Sequence, residues 1–167
     1  MDEICALYDE VFSASPFVWP ENESDNHRSM LQRLILDPSF AIALALAGNS
    51  LIGFVYGVAI RRDTNWWNGF QQPVPTELTQ EWPGRTFAVI DLAVRTDQRR
   101  HGLGRQLLNT LLESRNEDRA TLAVQPQSTD SHAFYQAIGG WRLVGRQDTP
   151  EYVSSQFDIY VLEPAQP

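Results

Sequence analysis

The sequence contains no lysine and a single cysteine. Its 167 residues include 13 basic residues, all of them arginine, against 21 acidic residues, for a formal net charge of -8. The lone Cys5 excludes an internal disulfide and a zinc site built from cysteines. An acidic balance argues against general nucleic-acid binding, which depends on clustered positive charge, and it suits cationic partners. We therefore expect no nucleic-acid partner.

The sequence also has no long apolar run. No segment approaches the about 20 apolar residues that a membrane span requires. The first twenty residues carry acidic but no basic side chains, unlike a signal peptide. We therefore expect a cytoplasmic protein with no membrane partner. The length and the 43% apolar content predict one globular domain over residues 1–167. No group of His, Asp and Glu has the spacing of metal ligands, so no metal is expected.

The hydrophobic pattern alternates between helical and strand periods and predicts a mixed α/β fold. Six stretches read as strands, because they are short apolar runs bounded by turn residues or glycines. Between two of them, residues 61–85 are aperiodic, rich in tryptophan and proline, with one helical turn expected near 76–80. The predicted helices are DEICALYDEVF, SDNHRSMLQRLILDP with Leu31, Leu34 and Ile35 inward, the leucine-striped segment after residue 102, and DSHAFYQAI. The predicted strands are FAIALALA and LIGFVYGVAI as a hairpin, FAVIDLAV, ATLAV, and WRLVG paired with SQFDIYVL.

The stretch RTDQRRHGLGRQLL, residues 95–108, gathers four arginines around two glycines between a strand and a helix. A helix start offers unpaired N–H groups and the positive end of the dipole, and glycine lets an anion approach the backbone. Arginine forks suit phosphate oxygens. The loop therefore predicts a phosphate site, most naturally for pyrophosphate. A dinucleotide fingerprint would need glycine at Leu107, and a P-loop would need lysine.

The pattern Arg99-x-x-Gly102-x-Gly104 resembles the Q/R-x-x-G-x-G/A signature of the GNAT acetyltransferase superfamily. About thirty residues later, HAFYQAIGGWRLVG is similar to the second motif of that family, a short helix with a tyrosine followed by a strand. The resemblance covers about residues 3–163. It implies an α/β (α+β) fold whose central mixed sheet is splayed between its two middle strands and flanked by helices. It also implies acetyl-CoA as co-substrate.

The resemblance also assigns site residues. The pantetheine arm would pair with the backbone of the strand end, and Tyr135 matches the tyrosine that protonates the departing thiolate in many members. Ser128 stands where many members have asparagine, so it would either contact the pantetheine or cap the helix. A second departure is that the first helix starts almost at Met1, where a strand normally precedes it. The implied cofactor-binding residues are Leu92, Ala93 and Val94 for the pantetheine and Arg99, Arg100, His101, Gly102, Leu103, Gly104 and Arg105 for the pyrophosphate.

Acetyl transfer to an amine needs an acid for the leaving sulfur and a neutral nucleophile. A tyrosine, with a pKa near ~10, can stay protonated beside a thiol with a pKa near ~8.5, so Tyr135 can be the acid; the alternative is a packing role. Asp91 is the only charge in FAVIDLAV. It is either the catalytic base or a structural carboxylate. Weaker candidates for the base are Asp63, Glu77 and Glu81. His27 and His132 are expected on helix surfaces.

Trp66, Trp67 and Trp82 lie in the aperiodic segment, where aromatic faces would bind the acceptor or form a lid on the core. The leading hypothesis is an N-acetyltransferase that acts on a small cationic amine, such as an amino sugar, a polyamine or an aromatic amine. Two alternatives stay open. One is an acetyltransferase for protein N-termini or lysines, and the other is a non-catalytic acyl-CoA-binding module. A homodimer is also left open.

Overall fold

The computed structural model describes residues 1–163. It has the mixed α/β architecture that the sequence predicts, with helices flanking one six-stranded sheet in the order β1–β2–β3–β4–β6–β5. The predicted helices and strands are all present. The helices are α1 (Asp2–Phe12), α2 (Glu23–Leu34), α3 (Thr76–Thr79), α4 (Leu103–Glu113) and α5 (Thr129–Ile138), and the strands are β1 (Ala41–Ala47), β2 (Ser50–Ala59), β3 (Thr86–Val94), β4 (Arg119–Val124), β5 (Trp141–Asp148) and β6 (Gln156–Leu162).

The chain divides into two compact units. Unit 1 contains Met1–Val58 and Val89–Arg115, and unit 2 contains Ala59–Ala88 and the chain from Asn116 onwards. The prediction that residues 1–167 form a single domain stays a prediction. Within residues 1–163, no helix is long and apolar enough to cross a membrane.

Unit 1 is built on the β1–β2 hairpin, whose strands pair antiparallel, and on helices α1, α2 and α4. The apolar stripe of α1 packs with Leu31 of α2 and with the inner face of β2 in one core cluster. Leu31 is fully buried, but Ile35, expected to face inward, is 42% exposed. That expectation was wrong because α2 ends at Leu34, and Ile35 is already its C-cap residue.

Unit 2 contains the C-terminal strands. β6 lies between β4 and β5 and pairs antiparallel with both. The first residues of β3 pair parallel with β4, from Thr86↔Arg119 to Ala88↔Thr121. The sheet therefore contains both parallel and antiparallel pairs, as the predicted mixed sheet requires.

Candidate active site

The glycine-arginine loop of unit 1 leads from the end of β3 into α4. A short 3₁₀ turn, Thr96–Gln98, follows the strand, and α4 begins at Leu103. Gly102 is the N-cap residue, with φ of 79° and ψ of 2°, a left-handed conformation that glycine adopts without strain. Among the described residues, no side chain caps this helix. The first turn of α4 therefore presents its backbone N–H groups and its dipole to an anion.

The charge around this helix start is positive. Arg95 forms an ion pair with Asp97, which neutralises one of the four arginines of the stretch. Arg99 donates from Nε to the carbonyl oxygen of Val94 at 3.1 Å, which holds its side chain against the end of β3. The exposed basic side chains of the loop and the first helical turn are Arg99, Arg100, His101 and Arg105. The basic residues assigned to the pyrophosphate thus lie exposed around one helix N-terminus.

Leu92, Ala93 and Val94 form the last part of β3, in unit 1. Ala93 is buried and packs against Gly53 of β2, where an added Cβ would lie 3.2 Å from the Ala93 carbonyl oxygen. The pairing of this stretch with the pantetheine stays a prediction.

Asp91 precedes this stretch and ends a chain of hydrogen bonds in unit 1. The Tyr56 hydroxyl donates to Oδ2 of Asp91, and His27 Nε2 lies 2.9 Å from the same hydroxyl. Nε2 of His27 is 3.7 Å from the carboxylate. The Tyr8 ring stacks on His27 with a centroid distance of 3.5 Å, and its hydroxyl donates to Glu23 at 2.8 Å.

His27 was expected on a helix surface, and this was wrong. It is 1% exposed because it shares the inward face of α2 with Glu23 and Leu31, four residues before and after it. The 23/27/31 spacing is the signal that could have identified His27. Sequence reasoning likewise missed Tyr56, which is fully buried on β2. No local pattern links Tyr56 to Asp91, because the two residues are 35 positions apart.

The surroundings of Asp91 change its proton affinity. Burial raises its pKa to about 6, the bond from Tyr56 opposes this rise, and the negative charge of Glu23 adds to it. Burial lowers the pKa of His27 to about 4, so His27 is neutral near pH 7. Burial, together with the nearby Asp91 carboxylate, raises the pKa of both Tyr8 and Tyr56, which therefore stay protonated. The Asp91 side chain retains 15% exposure, so a ligand can reach this carboxyl group.

In unit 2, Tyr135 and Ser128 belong to α5. The Tyr135 side chain is buried, with its ring centroid 5.6 Å from that of Trp141 and 6.0 Å from that of Tyr160. These contacts fix the ring but leave its catalytic role a prediction. Ser128 is the N-cap residue of α5, and its Oγ lies 2.6 Å from Oγ of Ser131. Within residues 1–163, the Ser128 side chain makes no capping hydrogen bond to the helix backbone, so its contact with the pantetheine stays a prediction.

His132 is the second histidine whose expected surface position was wrong. Its side chain is 16% exposed, since it points toward β6, where Nδ1 lies 2.7 Å from the Tyr160 hydroxyl. Its Nε2 is 3.5 Å from Asp158, which also receives two hydrogen bonds from Arg146. His132 therefore belongs to a polar cluster between α5 and β6.

The tryptophans of the aperiodic segment differ in their surroundings. Trp67 is 6% exposed, and its Nε1 donates to Glu81 at 2.9 Å. Glu81 also forms a buried ion pair with Arg119 at 2.9 Å. Burial therefore favours the packing alternative for Trp67, and the ion pair assigns Glu81 a structural role rather than that of a base. Trp66 is half-buried and donates to Thr121 of β4 at 3.2 Å, whereas Trp82 is 44% exposed.

Replacing Trp67 by Phe is expected to lower the free energy of unfolding by about 2 kcal/mol. The change removes a buried hydrogen bond to a carboxylate and leaves unfilled volume beside Arg119. Trp82→Phe is the matched control, because exposed substitutions usually change stability by less than about 0.5 kcal/mol. Urea unfolding of both variants measures the difference. Equal stability of the two variants would show that the Trp67 ring does not hold the segment to the core.

The described residues include no group of three or more His, Cys, Asp and Glu side chains that could hold a metal ion. In unit 1, the candidate site residues lie at a helix start suited to an anion, at the end of β3 and at the Asp91 carboxyl group. In unit 2, the candidate residue Tyr135 lies on α5.

Comparisons with known proteins agree with this description. Among solved structures, aminoglycoside 6′-acetyltransferase type Ii is similar at a TM-score of 0.67 and 16% identity, over 99% of this chain and 90% of that one. The PaiA N-acetyltransferase of Thermoplasma acidophilum, solved with coenzyme A, has a TM-score of 0.63 and 15% identity, over 97% and 91%. The ribosomal-protein-S18-alanine N-acetyltransferase of Escherichia coli has a TM-score of 0.61 and 17% identity, over 99% and 90%.

At these identities, the similarities show the fold alone. No curated protein matches the chain in sequence. The sequence profile of the acetyltransferase (GNAT) family matches residues 2–140, which include the glycine-arginine loop, Asp91 and Tyr135. The chain therefore belongs to the acetyltransferase (GNAT) family and is an acyltransferase that uses acetyl-CoA.

Proposed function

We propose that this protein transfers the acetyl group of acetyl-CoA to the primary amine of a small cationic molecule, such as an amino sugar, a polyamine or an aromatic amine. The observation that carries this proposal is the Asp91 carboxyl group. Within residues 1–163 its ion-pair partner is His27, which is neutral near pH 7. The negative charge of Asp91 is therefore not balanced by a protein cation. A partly exposed carboxylate in this state favours a cationic ligand.

The loop and strand of unit 1 are proposed to bind acetyl-CoA. The N–H groups of the first turn of α4, with Arg99, Arg100 and Arg105, would hold the pyrophosphate, because they combine the helix dipole with guanidinium donors. The backbone of Leu92–Val94 would pair with the pantetheine arm. Its N–H groups would also stabilise the negative charge that develops on the thioester oxygen.

In the proposed reaction, the acceptor ammonium first releases one proton to solvent, so that the neutral amine attacks. The nitrogen of the acceptor forms a bond to the carbonyl carbon of the thioester, and the carbon–sulfur bond breaks. Asp91 takes the proton of the attacking nitrogen, directly or through one water, which its raised pKa of about 6 suits near neutral pH. Tyr135 donates its phenol proton to the sulfur and regains a proton from solvent, while Asp91 releases the one that it accepted.

Aromatic side chains of unit 2 are proposed to contact the acceptor. Trp82 is exposed, and the guanidinium of Arg85 covers one face of its ring, 4.1 Å from the centroid, so the acceptor would use the other face or displace Arg85. Trp66 is half-buried beside Thr121. The buried Trp67 is not proposed to contact the acceptor. A cation–π contact at an exposed site contributes about 0.5–1 kcal/mol, which corresponds to a 2- to 5-fold change in KM.

An acetylation screen that measures CoA release tests this proposal. We expect turnover with small cationic amines and weaker capture of these amines at high salt, because salt screens the attraction to carboxylates. Trp82→Ala should raise KM for the acceptor about 2- to 5-fold with little change in kcat. The screen should include anionic and neutral amines and peptides with free N-termini or lysines. Reaction with anionic or neutral amines alone would contradict the cationic acceptor, and reaction with peptides alone would favour the protein acetyltransferase.

A further inference from the structure

The buried polar cluster of unit 1 extends beyond Asp91. Two hydrogen bonds link Asp91 to the interior, one from the Tyr56 hydroxyl to the carboxylate and one between His27 Nε2 and that hydroxyl. His27 and Tyr56 are among the largest fully buried side chains. Burying a polar side chain costs free energy unless the side chain is hydrogen-bonded. His27 and Tyr56 meet this requirement by bonding in a line that ends at Asp91.

The direction of these bonds follows from counting protons. The Tyr56 hydroxyl has one hydrogen, and the bond to Asp91 uses it. The 2.9 Å contact with His27 must then be an Nε2–H donating to the Tyr56 oxygen. Neutral His27 has only one N–H, so its Nδ1 is an acceptor. In the part of the chain that the structure describes, Nδ1 is buried without a hydrogen-bond partner. An unused acceptor is less costly than an unused N–H donor, which agrees with this tautomer.

We propose that Tyr56 and His27 are positioning residues for acetyl transfer: His27 Nε2–H donates to the Tyr56 hydroxyl, which donates to Asp91 Oδ2 and so holds the second carboxylate oxygen free to take the proton of the acceptor amine. This inference rests on the proposed role of Asp91 as the base. These two hydrogen bonds, from His27 to Tyr56 and from Tyr56 to Asp91, are called the relay below. The relay acts on two properties of Asp91. It fixes the orientation of the carboxylate, and it stabilises the charged form against the cost of burial.

Other ionisable groups face the same cluster. Helix α1 contributes Tyr8 and Asp9, α2 contributes Glu23 and Arg28 besides His27, and Asp91 lies on β3. The negative charge of Glu23 raises the pKa of Asp91, in the same direction as burial. Arg28 pairs with Asp2 on the surface and lowers the pKa of His27. The bond from Tyr56 is thus the contact that opposes burial and keeps Asp91 ionised near pH 7.

Tyr56→Phe tests the relay because it removes one hydroxyl from the cluster and retains the ring. Without the donor, the pKa of Asp91 is expected to rise by about one to two units. Carbon-13 NMR of the labelled carboxyl group, assigned with Asp91→Asn, measures this shift without any substrate. Tyr8→Phe is the matched control. Its hydroxyl bonds to Glu23, whose pKa would rise on losing it, so the pKa of Asp91 should stay or fall slightly.

Two variants of His27 test the inner bond. His27→Leu removes the donor to Tyr56 and is expected to raise the pKa of Asp91 by less than Tyr56→Phe does. His27→Gln places an amide N–H near the position of Nε2 and is expected to restore the wild-type pKa. Nitrogen-15 NMR of His27 should show the Nε2–H tautomer. An unchanged pKa of Asp91 in Tyr56→Phe, or an Nδ1–H tautomer, would overturn the relay.

The pH dependence of kcat/KM separates this proposal from the one that it rests on. If both are right, the acid limb of the profile moves to higher pH in Tyr56→Phe by the same amount as the pKa measured by NMR. If NMR shows the shift but the acid limb stays in place, the relay exists and Asp91 is not the base. A purely structural role for Tyr56 would lower stability without moving either quantity.

Discussion

Gly104→Glu is expected to weaken the binding of both acetyl-CoA and free CoA by about 100- to 1,000-fold. Gly104 is the second residue of α4, so the new carboxylate would lie at the helix start proposed to hold the pyrophosphate. Two like charges about 4 Å apart repel by about 4 kcal/mol at an effective dielectric constant of 20, which corresponds to about 1,000-fold in affinity. Isothermal titration calorimetry with each ligand measures the loss.

The same substitution should not impair folding. Glutamate forms helices better than glycine and is favourable in the first turn, so α4 should be slightly stabilised. Asn109→Glu adds the same charge to an exposed position near the middle of α4 and should bind CoA almost normally. Arg99→Ala should cause a partial loss of about 5- to 20-fold, because the N–H groups remain. Wild-type affinity in folded Gly104→Glu would place the CoA site elsewhere.

Asp91→Asn is expected to lower kcat/KM by about 10²- to 10⁴-fold, the range typical of general acid–base catalysis. A base acts in its ionised form, and burial raises the pKa of Asp91 to about 6. The wild-type rate should therefore rise with pH through about 6, and at pH 5 it should be about tenfold below its plateau. In Asp91→Asn this limb should disappear, and only the limb set by the pKa of the acceptor amine should remain.

Tyr135→Phe provides the comparison for Asp91→Asn. A CoA thiolate is a stable leaving group, so loss of its proton donor should cost about 10²-fold or less, and the acid limb near pH 6 should stay in place. The affinity for acetyl-CoA should be nearly unchanged in both variants. A wild-type rate in Tyr135→Phe with chemistry rate-limiting would assign this residue to packing against Trp141 and Tyr160. If the acid limb of the pH profile persists in Asp91→Asn, the ionisation that causes this limb belongs to another group.

The features that the sequence predicts best are those encoded locally. The glycine-arginine loop lies between an apolar strand and a leucine-striped helix, so a dozen neighbouring residues define both its conformation and its charge. The helices and strands follow from periodicity in the same way. Gly102 is an example of a locally encoded feature. The motif has a glycine at this position, and the backbone there is left-handed, a conformation that favours glycine.

The contacts that could not be predicted are long-range. The partners of Asp91 come from α2 and β2, and nothing in the strand sequence FAVIDLAV identifies them. His27 looks like a surface residue because its neighbours in sequence are polar, and only its spacing from Leu31 indicates an inward face. Trp67 and Trp82 look alike in a proline-rich segment. Trp67 is in the core because its indole donates to Glu81 of the buried Arg119–Glu81 pair, whereas Trp82 is 44% exposed.

The division into two units gives the protein a selective optical signal. Trp66, Trp67, Trp82 and Trp141 belong to unit 2, and Trp19 is the only tryptophan in unit 1. Intrinsic fluorescence therefore reports mainly on unit 2, where the buried indole of Trp67 should emit at shorter wavelength than the exposed indole of Trp82. Helical circular dichroism comes largely from α1, α2 and α4 of unit 1. Unfolding curves recorded with the two signals coincide if the units unfold cooperatively and separate if they do not.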